Sequence, residues 1–182
     1  ALVEHLKGRS EDYQVEYRVR HGDGRWVWIE DRGRAVERTA SGRVTRMLGT
    51  RRDISAGKAV EEQLRLASTV FEAASEGIVI LDPEYVLIAI NQAFSRVTGF
   101  DIDDMLGRNV VELPCSRDAR RHFPVIRQAL LSHGSWQGEL VEARKNGELY
   151  PQWLQLSGVS DVRGNVSHVV GSFADWSARR GA

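Results

Sequence analysis

"WQGELVEARKNGELYPQW", residues 136–153, and "YQVEYRVRHGDGRWVWIE", residues 13–30, carry one phrase twice. Each opens on an aromatic followed by Gln, with Glu in fourth place and Gly in twelfth. The likeness runs on. With one residue skipped, Gly42, Val44, Gly49, Asp53, Ser55 and Ala56 fall on Gly164, Val166, Gly171, Asp175, Ser177 and Ala178. The offset is 123 at first (136 less 13) and 122 after the gap (164 less 42). A period that long means duplicated domains, since stacked repeats recur every 20–50 residues or so.

Each copy reads as three strands. In the second, Trp136 to Arg144 leads into Lys145-Asn146-Gly147, a hairpin signal of the Asn-Gly kind. Leu149 to Ser160 follows, Asp161-Val162-Arg163-Gly164 turns the chain, and Val166 to Ala174 is the last strand. In the first copy the turns are Gly22-Asp23-Gly24 and Thr39-Ala40-Ser41-Gly42. Gly24 and Gly147 are read as turn residues needing positive φ. They cradle no phosphate, because a hairpin between strands lacks the helix N-terminus that would hold one.

Between the copies lies "SAGKAVEEQLRLASTVFEAA", residues 55–74. Val60, Leu64, Ala67, Phe71 and Ala74 are spaced 4-3-4-3, a heptad seam on an amphipathic helix. Next comes "EGIVILDPEYVLIAINQAFSRVTGF", residues 76–100. Gly77 to Leu81 and Tyr85 to Ile90 read as buried hairpin strands around an Asp82-Pro83-Glu84 turn. Asn91 caps a short helix, Gln92 to Thr98, which Gly99 stops. Two short helical pieces follow within 101–113, the first opened by acids that suit a helix N-terminus. A longer helix ends near His133, with Gly134 as its stop, and Pro124 is expected in its first turn.

The chain has 182 residues, 42% hydrophobic, with 25 basic and 25 acidic side chains. That supports a packed core. The charge balance argues against a nucleic-acid partner or a basic membrane patch. No apolar run is long enough to span a bilayer, so no membrane contact is expected in these residues. The lone Cys115 allows no internal disulfide, which fits a reducing, cytoplasmic setting, although the parent protein could still be membrane-anchored. With Ala1 in place of an initial Met and no signal peptide, the chain reads as a piece of a longer protein.

The element order is two strands, short helices, a longer helix and three strands. With "INQAFSRVTGF", "GRNV", "WQGE", "KNGELYP" and "GSFADWS", it resembles the PAS domain family. Residues 75–178 look like a complete PAS domain, residues 1–55 like the C-terminal half of another, and 56–74 like a linker helix between them. The resemblance implies an α+β fold, a five-stranded antiparallel sheet with short helices on one face and a pocket between the layers. Three strands lacking two neighbours would leave an open face, to be covered by the linker helix or a partner chain. The family's hand-over motif after its last strand, Asp-x-Thr or Asp-x-Ser, falls on Asp53 and Ser55, and again on Asp175 and Ser177. These four residues form the expected signal junctions.

Cofactor candidates follow from the same resemblance. The light-sensing flavin branch has Cys directly after its Gly-x-Asn, whereas Val110 follows Gly107-Arg108-Asn109 here and Cys115 lies five places on. His122 falls where oxygen-sensing relatives carry their haem ligand, and a neutral imidazole suits iron. Tyr150, Gln152, Leu154 and Leu156 share one strand face by the period of two, and by the family's register that face lines the pocket. Gln152 stands where flavin-binding relatives place an amide, while Phe173 stands in place of a second one. No cofactor is expected; haem through His122 and flavin through Gln152 are the alternatives. His5, His21, His133 and His168 are too scattered for a metal set.

Cys115 and His122 have no third group to orient a base, so no enzyme is expected within these residues. The functional expectation is a sensory and dimerising module of a bacterial signalling protein. It would pass a small-molecule or conformational signal to an output domain outside the chain. Residues 130–177 look most like PAS domains joined to cyclic di-GMP enzymes of the GGDEF and EAL types, with histidine kinases next. A homodimer through the linker helix or a sheet is the expected assembly.

Overall fold

The computed structural model describes residues 2–7, 12–114 and 117–177. Two compact units divide the chain, residues 1–67 and 68–182.

In the first unit a short helix α1, Leu2–Leu6, lies against a three-stranded antiparallel sheet in the order β1-β2-β3. The strands are β1 Tyr13–Arg20, β2 Trp26–Arg38 and β3 Val44–Asp53. Alternation puts Tyr17, Val27 and Ile29 on one face, and Val27 and Ile29 are its buried members. The helix α2, Ser55–Ala73, starts in this unit and ends in the second. It does not cover the sheet as expected of the linker helix: none of its residues is buried. The reason lies in its first turn, which is held by polar links: Ser55 Oγ accepts from the Trp28 amide at 2.9 Å and Lys58 pairs with Glu16 at 2.7 Å.

The second unit is a five-stranded antiparallel sheet in the order β5-β4-β8-β7-β6, with helices on one face. Its strands are β4 Gly77–Leu81, β5 Leu87–Ile90, β6 Ser135–Ala143, β7 Leu149–Ser160 and β8 Val166–Asp175. The last strand in sequence, β8, is the central one, paired with β4 and β7. Helices α3 Gln92–Thr98, α4 Ile102–Met105 and α5 Arg117–His133, with a single 3-10 turn at Val110–Glu112, carry the apolar residues that meet the sheet. Phe94, Met105, Ile126 and Leu130 pack with Val79, Leu87, Leu140 and Phe173.

Asn91 ties the start of this unit together. It is fully buried, and its Oδ1 accepts from the amides of Ile78 (2.9 Å) and Phe94 (3.1 Å). Its Nδ2 donates to the carbonyls of Phe71 (2.9 Å) and Glu76 (3.0 Å). A helix cap thus also joins the end of α2 to β4. Gly77 faces Phe173 across the ladder so closely that a Cβ would strike the ring.

Two readings need correction. Tyr85 is no strand residue: it sits in the turn at φ 65, its amide bonded to Asp82 O, and β5 begins at Leu87. Pro124 lies well inside α5, which begins at Arg117. The Asp118 carboxylate accepts from the Val141 amide at 2.8 Å, fixing the first turn to β6. Ala119, Phe123, Ile126 and Leu130 then give the helix one apolar stripe. That anchoring outweighs the single helical hydrogen bond that proline cannot donate.

Candidate functional site

Between the sheet and helices α3 to α5 lies a cavity of about 450 Å³, within the ordinary range for small-molecule sites. Its walls are largely aliphatic and aromatic. Tyr150, Gln152, Leu154, Leu156 and Phe173 all line it from β7 and β8. Tyr85 reaches in from its left-handed turn and meets Phe123 edge-on at 5.6 Å.

The cavity has one polar corner. Tyr150, 1% exposed, donates its hydroxyl hydrogen to Gln152 Oε1 at 2.6 Å, and Gln152 is 6% exposed. Burial, with Glu142 nearby, pushes the Tyr150 hydroxyl well above its ordinary pKa, so it stays a donor. Behind the tyrosine ring, at 4.2 Å, lies the guanidinium of Arg144. Arg144 also donates to the Val97 carbonyl at the end of α3 and to Asp175 Oδ2. The other oxygen of Asp175 accepts from the Ser177 amide at 2.8 Å and the Ser177 hydroxyl at 2.6 Å. Partial burial would raise the Asp175 carboxyl, but the bonds from Ser177 and Arg144 hold it below its usual value. Wall, arginine and junction therefore form one contact chain. Beside it Trp153 and Trp176 stack at 4.7 Å.

The first junction has the same local geometry: Asp53 Oδ1 accepts from the Ser55 amide at 2.8 Å. Its carboxyl is lowered chiefly by that bond.

His122 does not face the cavity. Its Nδ1 lies 2.9 Å from the Asp118 carbonyl oxygen in its own helix, and its ring lies against Trp136. Among the described residues no histidine lines the cavity, so the residues do not fit haem. For flavin, Gln152 supplies one amide and Phe173 stands in place of a second. Cys115 lies outside the described residues, as does Ala178. Among the described residues no three His, Cys, Asp or Glu side chains converge on a metal position. Among the described residues no helix is long and apolar enough to cross a membrane.

Arg144 was not among the expected site residues. A signal for it existed in the sequence, because Arg144 aligns with His21 of the first copy, so both copies place a basic side chain just before the hairpin turn.

The PAS domain family matches residues 75–178, and a second family described as PAS fold matches residues 1–51. Over 122 residues the chain is 30% identical to the nitrogen fixation regulatory protein of Klebsiella oxytoca, covering 67% of this chain and 25% of that one. Over 180 residues it is 26% identical to the oxygen sensor protein DosP of Escherichia coli, covering 96% and 22%. The chain thus spans about a quarter of the length of these relatives. The crystal structure of the PAS domain of a protein from Colwellia psychrerythraea superposes with a TM-score of 0.57 at 18% identity, covering 62% of this chain and 96% of that one.

Proposed function

The chain belongs to the PAS domain family, and on that premise we propose that it is a non-catalytic sensory and dimerising module in the cytoplasm. It passes the state of its cavity to an output domain outside these residues. A cyclic di-GMP cyclase or phosphodiesterase is the favoured output and a histidine kinase the next. The observation that carries the reading is the contact chain from Gln152 and Tyr150 through Arg144 to Asp175 and Ser177. A molecule that shifts Tyr150 or the end of α3 must move Arg144, and Arg144 holds one oxygen of the residue that caps the exit. The favoured output rests on the likeness of residues 130–177 to PAS domains of cyclic di-GMP enzymes.

Helix α2 supports the dimer. Val60 and Leu64 of its seam are 57% and 66% exposed, and Leu66 and Val70 add a second exposed stripe beside it. Phe71 is half-buried. Burying a leucine side chain contributes about 1.5–3 kcal/mol, twice over across a two-fold axis.

Two measurements test this. Leu64→Glu should make the chain monomeric in the ultracentrifuge while the second unit still melts cooperatively. A mutant that stays dimeric places the interface elsewhere. Arg144→Met should speed amide hydrogen exchange at Ser177 by about tenfold and leave Leu154 and Leu156 unchanged. Unchanged exchange at Ser177 would sink the relay.

A further inference from the structure

Among the described residues, one polar side-chain atom in the cavity's deep corner makes no hydrogen bond. Thr98 Oγ1 donates to the Phe94 carbonyl at 2.8 Å, and the Tyr150 hydroxyl is given to Gln152 Oε1. Among the described residues Gln152 Nε2 has no hydrogen-bond partner, although its residue is nine-tenths buried and lines the cavity. Nor is it sealed in protein: the one enclosed side-chain atom without a partner among the described residues is Ser95 Oγ. The amide hydrogen therefore opens onto the cavity, where a buried donor calls for a partner. Its surroundings restrict that partner. The Gln152 oxygen already accepts one hydrogen bond, from Tyr150, so a ligand donor could add only a second, shared one there, whereas an acceptor meets a nitrogen with no bond at all. Glu142 lines the same cavity and repels an anion, whereas Arg120, the cationic lining residue, is exposed on α5. The remaining walls, from Leu81, Leu87, Phe94, Leu140 and Phe173, are apolar.

Resting on the sensory reading above, we propose that this cavity receives an uncharged, mostly apolar molecule bearing one hydrogen-bond acceptor, which takes one of the two hydrogens of Gln152 Nε2. The acceptor docks beside Tyr150, at the head of the Arg144 contact chain, and the apolar body fills the space under α3 and α5. Shape alone would admit a hydrocarbon; the unmet donor selects a carbonyl or ether oxygen over it.

Three near-isosteric probes separate the classes: 2-acetylnaphthalene, 2-ethylnaphthalene and 2-naphthoate, titrated into the whole chain by calorimetry. The ketone is expected to bind about tenfold more tightly than the ethyl compound, the scale of one buried hydrogen bond. The carboxylate should bind most weakly. In Gln152→Leu the ketone and the ethyl compound should bind alike. Because that change strands the Tyr150 hydroxyl, the double variant Tyr150→Phe/Gln152→Leu serves as a second version and should give the same convergence. Tightest binding by naphthoate, equal binding of ketone and ethyl compound to the natural sequence, or no binding of any probe would overturn the proposal.

Amide exchange at Ser177, followed with the tightest probe bound, keeps the two readings apart. A changed exchange rate with the wrong ranking removes the ligand class and leaves the relay. The right ranking with unchanged exchange does the reverse.

Discussion

The two copies of the three-strand module share a frame and differ in their walls. Ile29 pairs with Asp53 as Gln152 pairs with Asp175. The Ile54 amide reaches Trp28 O at 2.9 Å, and the Trp176 amide reaches Pro151 O at 2.8 Å. The Asp-x-Ser caps have the same 2.8 Å bond. Yet the wall positions Leu140, Gln152, Leu154, Leu156 and Phe173 correspond to Tyr17, Ile29, Asp31, Gly33 and Arg51. In the first copy Arg51 grips Asp31 through two bonds, at 2.8 and 2.9 Å, and Tyr17 donates to the same carboxylate at 2.6 Å. The local geometry of the junction is thus the same beside two different walls. The apolar wall with one free amide lines a cavity, whereas the charged triad of the first copy is an ion-paired cluster on its sheet.

The largest way to break the comparison is to separate the copies. Residues 68–178 should melt cooperatively, with a stability in the range of about 5–15 kcal/mol, whereas residues 1–56 as a monomer should show no cooperative transition. A sharp melt of the short piece would make the first copy a domain in its own right. Next in size is Asn91→Ala, which removes four side-chain hydrogen bonds at once, from the amides of Ile78 and Phe94 and to the carbonyls of Phe71 and Glu76. A loss of about 3–5 kcal/mol in urea unfolding is expected. The first copy has no counterpart, so equal loss from Ser55→Ala, which removes the single bond from the Trp28 amide, would erase this distinction.

The frame was legible because its signals are local. Turn glycines, the alternation in β7 and the cap at Asn91 act within a few residues. The apolar face of β7 also placed Gln152 and its neighbours. Contacts made across the fold were not legible. Arg144 follows a strand in sequence, and only the closed sheet brings it between Tyr150 and Asp175. Pro124 misled for the same reason, since the bond from the Val141 amide to Asp118 that starts α5 earlier joins residues 23 apart. His122 matched a family position by spacing alone, and a helix turn decides where a ring points.

A smaller effect sharpens the wall comparison. Tyr150→Phe leaves Gln152 Oε1 buried without its partner and should cost about 1–3 kcal/mol. Tyr150→Phe with Gln152→Leu should recover most of that loss, because an apolar pair needs no partner, as Val27 and Ile29 show at the matching positions of the first copy. Recovery in urea unfolding would mean that the polar pair serves binding more than stability. A double variant as unstable as the single would assign it to structure.

The smallest expected effect lies in the first copy's charged wall, and pH exposes it. Bonds from Arg51 and then Tyr17 lower the Asp31 carboxyl to about 2, while its hydrogen bond to Asp31 raises the Tyr17 hydroxyl. A carboxyl depressed in the folded chain stabilises it above the ordinary value near 3.8. That contribution fades as pH falls from there toward about 2. The tyrosine works at the other end: its contribution is present below its ordinary value of 10.0 and is lost as pH rises past it. The Arg51 partner is exposed to water, so the change will be too slight for a melting curve and suits the Arg51 Nε resonance, followed by NMR from pH 5 to pH 2. The resonance should move with the protonation of Asp31, and Asp31→Asn should flatten it. The second unit offers no such acid response at the matching places, where Leu140, Leu154 and Phe173 cannot titrate. A flat Arg51 titration in the natural sequence would show that the guanidinium does not hold the carboxylate, and the contrast between a charged and an apolar wall would lose its physical basis.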